Sequence, residues 1–67
     1  MTKQQIIKEL EEKINSYKSE REIIIRKYED AKKVQDKKNE IYFYGVINTI
    51  CFIINDFEIM IENIKRG

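Results

Sequence analysis

The side chains of this 67-residue chain that can do chemistry are twelve acids, thirteen bases, four tyrosines and one cysteine; histidine is absent. Without an imidazole the usual general base at neutral pH is missing. Cys51 alone supplies neither an internal disulfide nor the thiolate and imidazole spacings of a zinc site. Gly45 and Gly67 are the only glycines, so no glycine-rich phosphate loop can be built. Two acidic pairs, Glu11 with Glu12 and Glu29 with Asp30, are adjacent in sequence and flanked by lysines, which is the pattern of a solvated helix face. These deficits predict a protein that is not an enzyme and that takes no cofactor or metal.

Binding chemistry has two candidates. From Arg26 to Lys38 there are six bases (Arg26, Lys27, Lys32, Lys33, Lys37, Lys38) against three acids (Glu29, Asp30, Asp36). In a nucleic-acid reading Lys27, Lys33, Lys37 and Lys38 would contact phosphates, and affinity would fall steeply with salt. Tyr42 and Tyr44 flank Phe43 just beyond, an interleaving suited to stacking on single-stranded bases. The interspersed acids and a net charge of +1 count against this reading. Closure of a helical core, with the tyrosine hydroxyls reaching water, is the simpler account of the aromatics.

Three single residues interrupt the pattern around them. Arg21 stands where an apolar side chain is expected; it either fixes register or lays its aliphatic stem along the seam while the guanidinium reaches Glu20, Glu22 or a partner acid. Gly45 weakens a helix interior by about 1 kcal/mol relative to alanine, so either a second helix approaches closely there or the glycine is merely tolerated. Cys51 reads as a small buried hydrophobe, an intersubunit disulfide being rare in a reducing compartment.

The elements that position these residues are helical. With no proline, 37% charged and 42% hydrophobic residues, the chain suits long amphipathic helices and little else. Thr2 followed by Gln5 forms a capping-box pattern, so the first helix should start at Lys3. Beyond it Ile7, Leu10, Ile14, Tyr17, Ile24, Tyr28 and Ala31 recur at spacings of three and four, with Arg21 as the only break. Glu9 to Lys13, Glu22 to Arg26 and Glu29 to Lys33 are in the favourable i, i+4 order on the wet side. Polar residues crowd from Lys32 to Asn39, which places helix 1 at about 3–36, a turn at about 36–40 with Asn39 as capping or left-handed residue, and helix 2 at about 40–65. Two alternatives stand beside this: one uninterrupted helix, or a break near Asn15 to Ser19 with Ser19 and Glu22 as a second capping box.

Helix 2 carries its own seam, Phe43, Ile47, Ile50, Ile54, Phe57, Ile61 and Ile64. Val46, Ile53 and Met60 form a parallel stripe, and Phe52 and Ile59 add apolar bulk on the far side. No charge occurs from Ile41 to Asn55, a run of fifteen residues that falls short of the twenty or so of a membrane span. Helix 2 therefore carries more apolar surface than one neighbouring helix covers. The unequal predicted lengths also leave the segment around Ile6, Ile7 and Leu10 overhanging.

The expected architecture is all-α: an antiparallel, coiled-coil-like two-helix hairpin, one domain over 1–67, dimerising into a four-helix bundle. Its subunit interface would consist of Val46, Ile50, Ile53, Phe57 and Met60. The matching function is that of a small protein–protein interaction module, an adaptor or regulator, with itself and a further protein as partners. A nucleic-acid-binding hairpin, or a chaperone-like hairpin whose helix 2 docks on a different protein, are the alternatives. In architecture alone such a dimer resembles the small helix-hairpin regulators and adaptors of plasmids and viruses, which implies a similar origin. Charges recur so closely from Lys3 to Lys38 that no signal segment is visible, and a cytoplasmic location is the default expectation.

Overall fold

The computed structural model describes residues 1–67 and contains two helices, α1 (Lys3–Lys33) and α2 (Lys37–Arg66), folded against each other as an antiparallel hairpin. The molecule measures 49 × 15 × 12 Å. A helix of 31 residues rises about 46 Å, so each helix runs the full length of the rod.

Helix α1 starts where the capping box places it. Gln5 N–H donates to Thr2 Oγ1 at 3.1 Å, and the Thr2 backbone N–H donates to Gln5 Oε1 at 2.9 Å, so two otherwise orphaned donors are satisfied reciprocally. The helix then continues through Asn15 to Ser19 without a break. Both C-termini carry bases, Lys32 with Lys33 and Lys65 with Arg66, which complement the negative end of each helix dipole.

The connection is shorter and earlier than its polar composition suggests. It consists of Val34, Gln35 and Asp36. Gln35 has φ 59°, and the paired bonds Asp36 N–H to Ala31 C=O (2.9 Å) and Gln35 N–H to Lys32 C=O (3.2 Å) close a Schellman motif. The left-handed residue is thus a glutamine, not Asn39. Asp36 caps α2 by accepting from the Asn39 backbone N–H at 3.3 Å and from Asn39 Nδ2 at 2.7 Å, which puts Asn39 inside the first turn of α2. Because α2 begins at Lys37, the helices are 31 and 30 residues long and the anticipated overhang disappears. Ile7 and Leu10 pack on the core of their own hairpin.

Every one of the fourteen seam residues is buried or half-buried. The centre is Ile14, Ile50, Ile54 and Ile61, with Ile7, Leu10, Tyr17, Ile24, Val46 and Phe57 packed around it. Tyr17 and Phe57 stack with ring centroids 6.0 Å apart. Ala31 is buried beside the turn. No side chain is sealed completely from water, as expected when two cylinders meet along a single line.

The charged side of α1 is held by solvent. None of its three i, i+4 pairs forms an ion pair; the two that form are Lys37 with Glu40 (3.5 Å) and Arg66 with Glu62 (3.3 Å), at the two ends of α2. Surface pairs of this kind contribute at most about 1 kcal/mol, so water competes with them effectively.

Candidate functional site

Successive positions around α2 progress from the hairpin core to open solvent. The seam faces α1. One step round lies the stripe Val46, Ile53 and Met60; beyond it come Tyr42, Thr49, Asp56 and Asn63; then Gly45, Phe52 and Ile59, which at about 100° per residue lie diametrically away from α1. Phe52 is 71% exposed, Tyr42 63%, and Ile59 and Met60 50% each, against 4% for Ile54 in the core. Two apolar rows, Val46, Ile53 and Met60 on one side and Phe52 and Ile59 on the other, thus run along the outside of α2 with the mixed row Tyr42, Thr49, Asp56 and Asn63 between them, Asp56 being the single charge.

The hairpin divides the five expected interface residues. Ile50 is buried in the hairpin's own core, and Phe57 is half-buried in the stack with Tyr17. Val46 and Ile53 are half-buried at the edge of that core, and Met60 stands open. Phe52 and Ile59 extend the strip on its far side. Their place is visible in the heptad spacing, but not how much surface they leave in water.

The other singled-out residues fall in different places. Lys33, Lys37 and Lys38 sit together at the turn end, and Lys27 lies about 9 Å further up α1 by helical rise. All four are exposed, but Glu40 engages Lys37, and Asp30 and Asp36 lie among them. Tyr42 and Tyr44 are more than half exposed and do not close the core. Half-buried Phe43 performs that role, Tyr42 meeting it edge-on at 5.3 Å while Tyr44 leans on Tyr28 at 6.1 Å. Lys32 holds its ammonium 6.0 Å from the Tyr28 ring centre, at the outer limit of a cation–π contact.

Cys51 is exposed, contrary to its reading as a buried hydrophobe, because it falls on the flank of α2 next to Arg21. Arg21 is half-buried, and its Nη1 donates to Cys51 Sγ at 3.6 Å across the helix pair. The guanidinium therefore crosses to α2 and forms no ion pair with Glu20 or Glu22. Gly45 faces open space: a Cβ built there meets nothing within 4 Å, so nothing in the hairpin requires a glycine.

No group of three acidic or cysteine side chains converges as a metal site would need. The groove at the end away from the turn, about 620 Å³, is lined by Glu11, Lys18, Glu58 and Lys65 around Ile14 and Ile61, so its charges balance. Helix α2 is long and apolar enough over eighteen residues to cross a membrane, and only 17% of that stretch is buried by α1. Those eighteen residues extend past the charge-free run of fifteen and include charged side chains. Set against models of known families, curated proteins and solved structures, the chain matches none.

Proposed function

We propose that this chain is a small non-enzymatic protein–protein interaction module, an adaptor or regulator, that acts as a homodimer. Two hairpins pack α2 against α2 as a four-helix bundle, and the charged outer surfaces of α1 remain free for a further protein. The observation that carries this reading is the apolar strip on α2, with Phe52 71% exposed on a helix whose other side already forms the core. Each square ångström of its apolar part removed from water contributes about 25 cal/mol, and exposed apolar side chains set among polar ones are what an interaction site presents. Cytoplasmic residence accords with a lone, exposed free thiol.

A membrane is the competing occupant, given the length and composition of α2. A spanning α2 would have to leave α1, stranding Ile14, Tyr17 and Ile24, and the eighteen residues that cross would include two charged side chains. Those charges lie toward the ends of the stretch, outside the charge-free run, where the cost falls below the roughly 2.5–3.5 kcal/mol of a charge at the bilayer centre. The protein reading leaves the contact between α1 and α2 intact.

Light scattering on the purified chain tests the proposal. A monodisperse particle of twice 8.1 kDa is the expected result, and a folded monomer at high concentration overturns it. Aggregation cured by co-expression with a different protein would replace the second copy with that protein. Tight, salt-sensitive gel shifts with RNA or DNA would move the function to the bases of the turn end.

A further inference from the structure

Resting on the homodimer reading, we infer that the two α2 helices meet antiparallel, about a two-fold axis beside Phe52 and Ile53, with Gly45 receiving Ile59 of the second copy. The ground is a self-complementarity in the outward strip. In an isologous contact residue i meets j and j meets i, so the strip must match its own reversal. Reversed about a point between positions 52 and 53, it does to within one residue, about 1.5 Å along the axis. Val46 comes opposite Met60, Ile53 opposite itself, and Phe52 opposite itself, so apolar meets apolar along both edges.

The polar residues between those edges obey the same reversal. Thr49 comes opposite Asp56, and Tyr42 opposite Asn63. Each carboxylate or amide then faces a hydroxyl able to donate to it, which is what removing these groups from water requires. Thr49 donates its single O–H to Gly45 C=O at 2.9 Å in the hairpin, so the contact requires that proton to turn from the carbonyl to the Asp56 carboxylate. The two Asp56 carboxylates lie about seven residues apart along the axis, about 10 Å, which limits their repulsion.

Gly45 supplies the independent observation. Its missing side chain is not needed by the hairpin, where a Cβ would meet open space. A glycine in mid-helix nonetheless weakens the helix. The reversal puts the largest gap of the strip opposite Ile59, which is half exposed and has no partner within its own chain's core. A lipid surface would be served as well by any apolar residue at 45, so the glycine favours a helix as occupant.

Cross-linking with a short bis-maleimide in a Cys51→Ser background tests the orientation. Ile53→Cys should yield covalent dimer, as should the double variant Gly45→Cys with Ile59→Cys, while each of the latter two alone should not. Positions 45 and 59 are about 21 Å apart along one helix, so the double variant has no short route within a chain. A dimer by light scattering in which Gly45→Cys and Ile59→Cys each cross-link alone would establish a parallel contact, overturning this orientation and leaving the homodimer intact. Preferential cross-linking through Cys51 in the unaltered chain would place the contact on another flank, and would likewise overturn the orientation but not the dimer. A monomer that sediments with phosphatidylcholine–phosphatidylserine vesicles would overturn both. Gly45→Leu adds a test of sign: it should raise the dimer dissociation constant at least about tenfold while helicity is kept or increased, whereas a merely tolerated glycine would leave the dimer unchanged.

Discussion

Helices α1 and α2 are almost equal in length and share one seam, yet they treat solvent in opposite ways. Outside that seam α1 shows water a single large apolar side chain at more than half exposure, Ile23, whereas α2 shows Ile41, Tyr42, Tyr44, Phe52, Ile59 and Met60 at half exposure or more. Two helices in contact bury one stripe each, so the surplus on α2 does nothing for the hairpin. It also gives every unfolded or partly folded copy an adhesive surface. Such a surface is tolerable when it is covered in the working protein, which is the physical reason to place function on α2 and solvation on α1.

A charge placed on each outer surface gives the sharpest contrast. Ile53→Asp should abolish the proposed dimer or unfold the chain, an effect of more than about 4 kcal/mol, because it would strand a carboxylate at the proposed contact. Lys8→Asp on α1 should change stability by no more than about 0.5 kcal/mol. Mass by light scattering and helicity by circular dichroism read both, and an Ile53→Asp variant with unaltered mass and helicity would remove the distinction between the helices.

Within the seam the contrast should shrink but persist. Ile54→Ala, at the most buried site, is expected to lose about 2–5 kcal/mol in urea unfolding at fixed protein concentration. Ile24→Ala, half-buried on α1, should lose less. Equal losses would mean that the core is shared evenly and not centred on α2.

The helix ends give the mildest tests. Thr2→Ala removes one arm of the capping box and should cost about 1 kcal/mol, seen as faster amide exchange over the first turn of α1. Gln35→Gly relieves a left-handed glutamine and should raise stability by up to about 1 kcal/mol, since the glycine's larger unfolded-state entropy offsets part of the gain. A loss at Gln35→Gly would show that the turn is not strained.

Much of the fold is legible in residue spacing. The start at Lys3, both seams and their fourteen members follow from periods of three and four, because a helix converts spacing directly into a face. Composition puts the turn a few residues late because neither Gly nor Pro marks it; a Schellman bond pattern holds Gln35 left-handed, and backbone bonding of that kind leaves no compositional trace. Asp36, a good capping residue ahead of Asn39, is the available signal. Cys51 looks buried in the sequence because its neighbours there are apolar, but neighbours in sequence are not neighbours in space: it falls one step off the seam, where Arg21 reaches it.

Residue order alone was enough to specify two amphipathic helices and the excess of apolar surface on the second, since both depend only on which side chains share a helical face. Tertiary packing decided how that surface is divided. Once α1 lies along α2, Ile50 is used up inside and Phe57 stacks on Tyr17, while Phe52, Ile59 and Met60 are left in water together with Gly45. Helical phase says which way a side chain points; only the position of the neighbouring helix says whether anything is there to meet it.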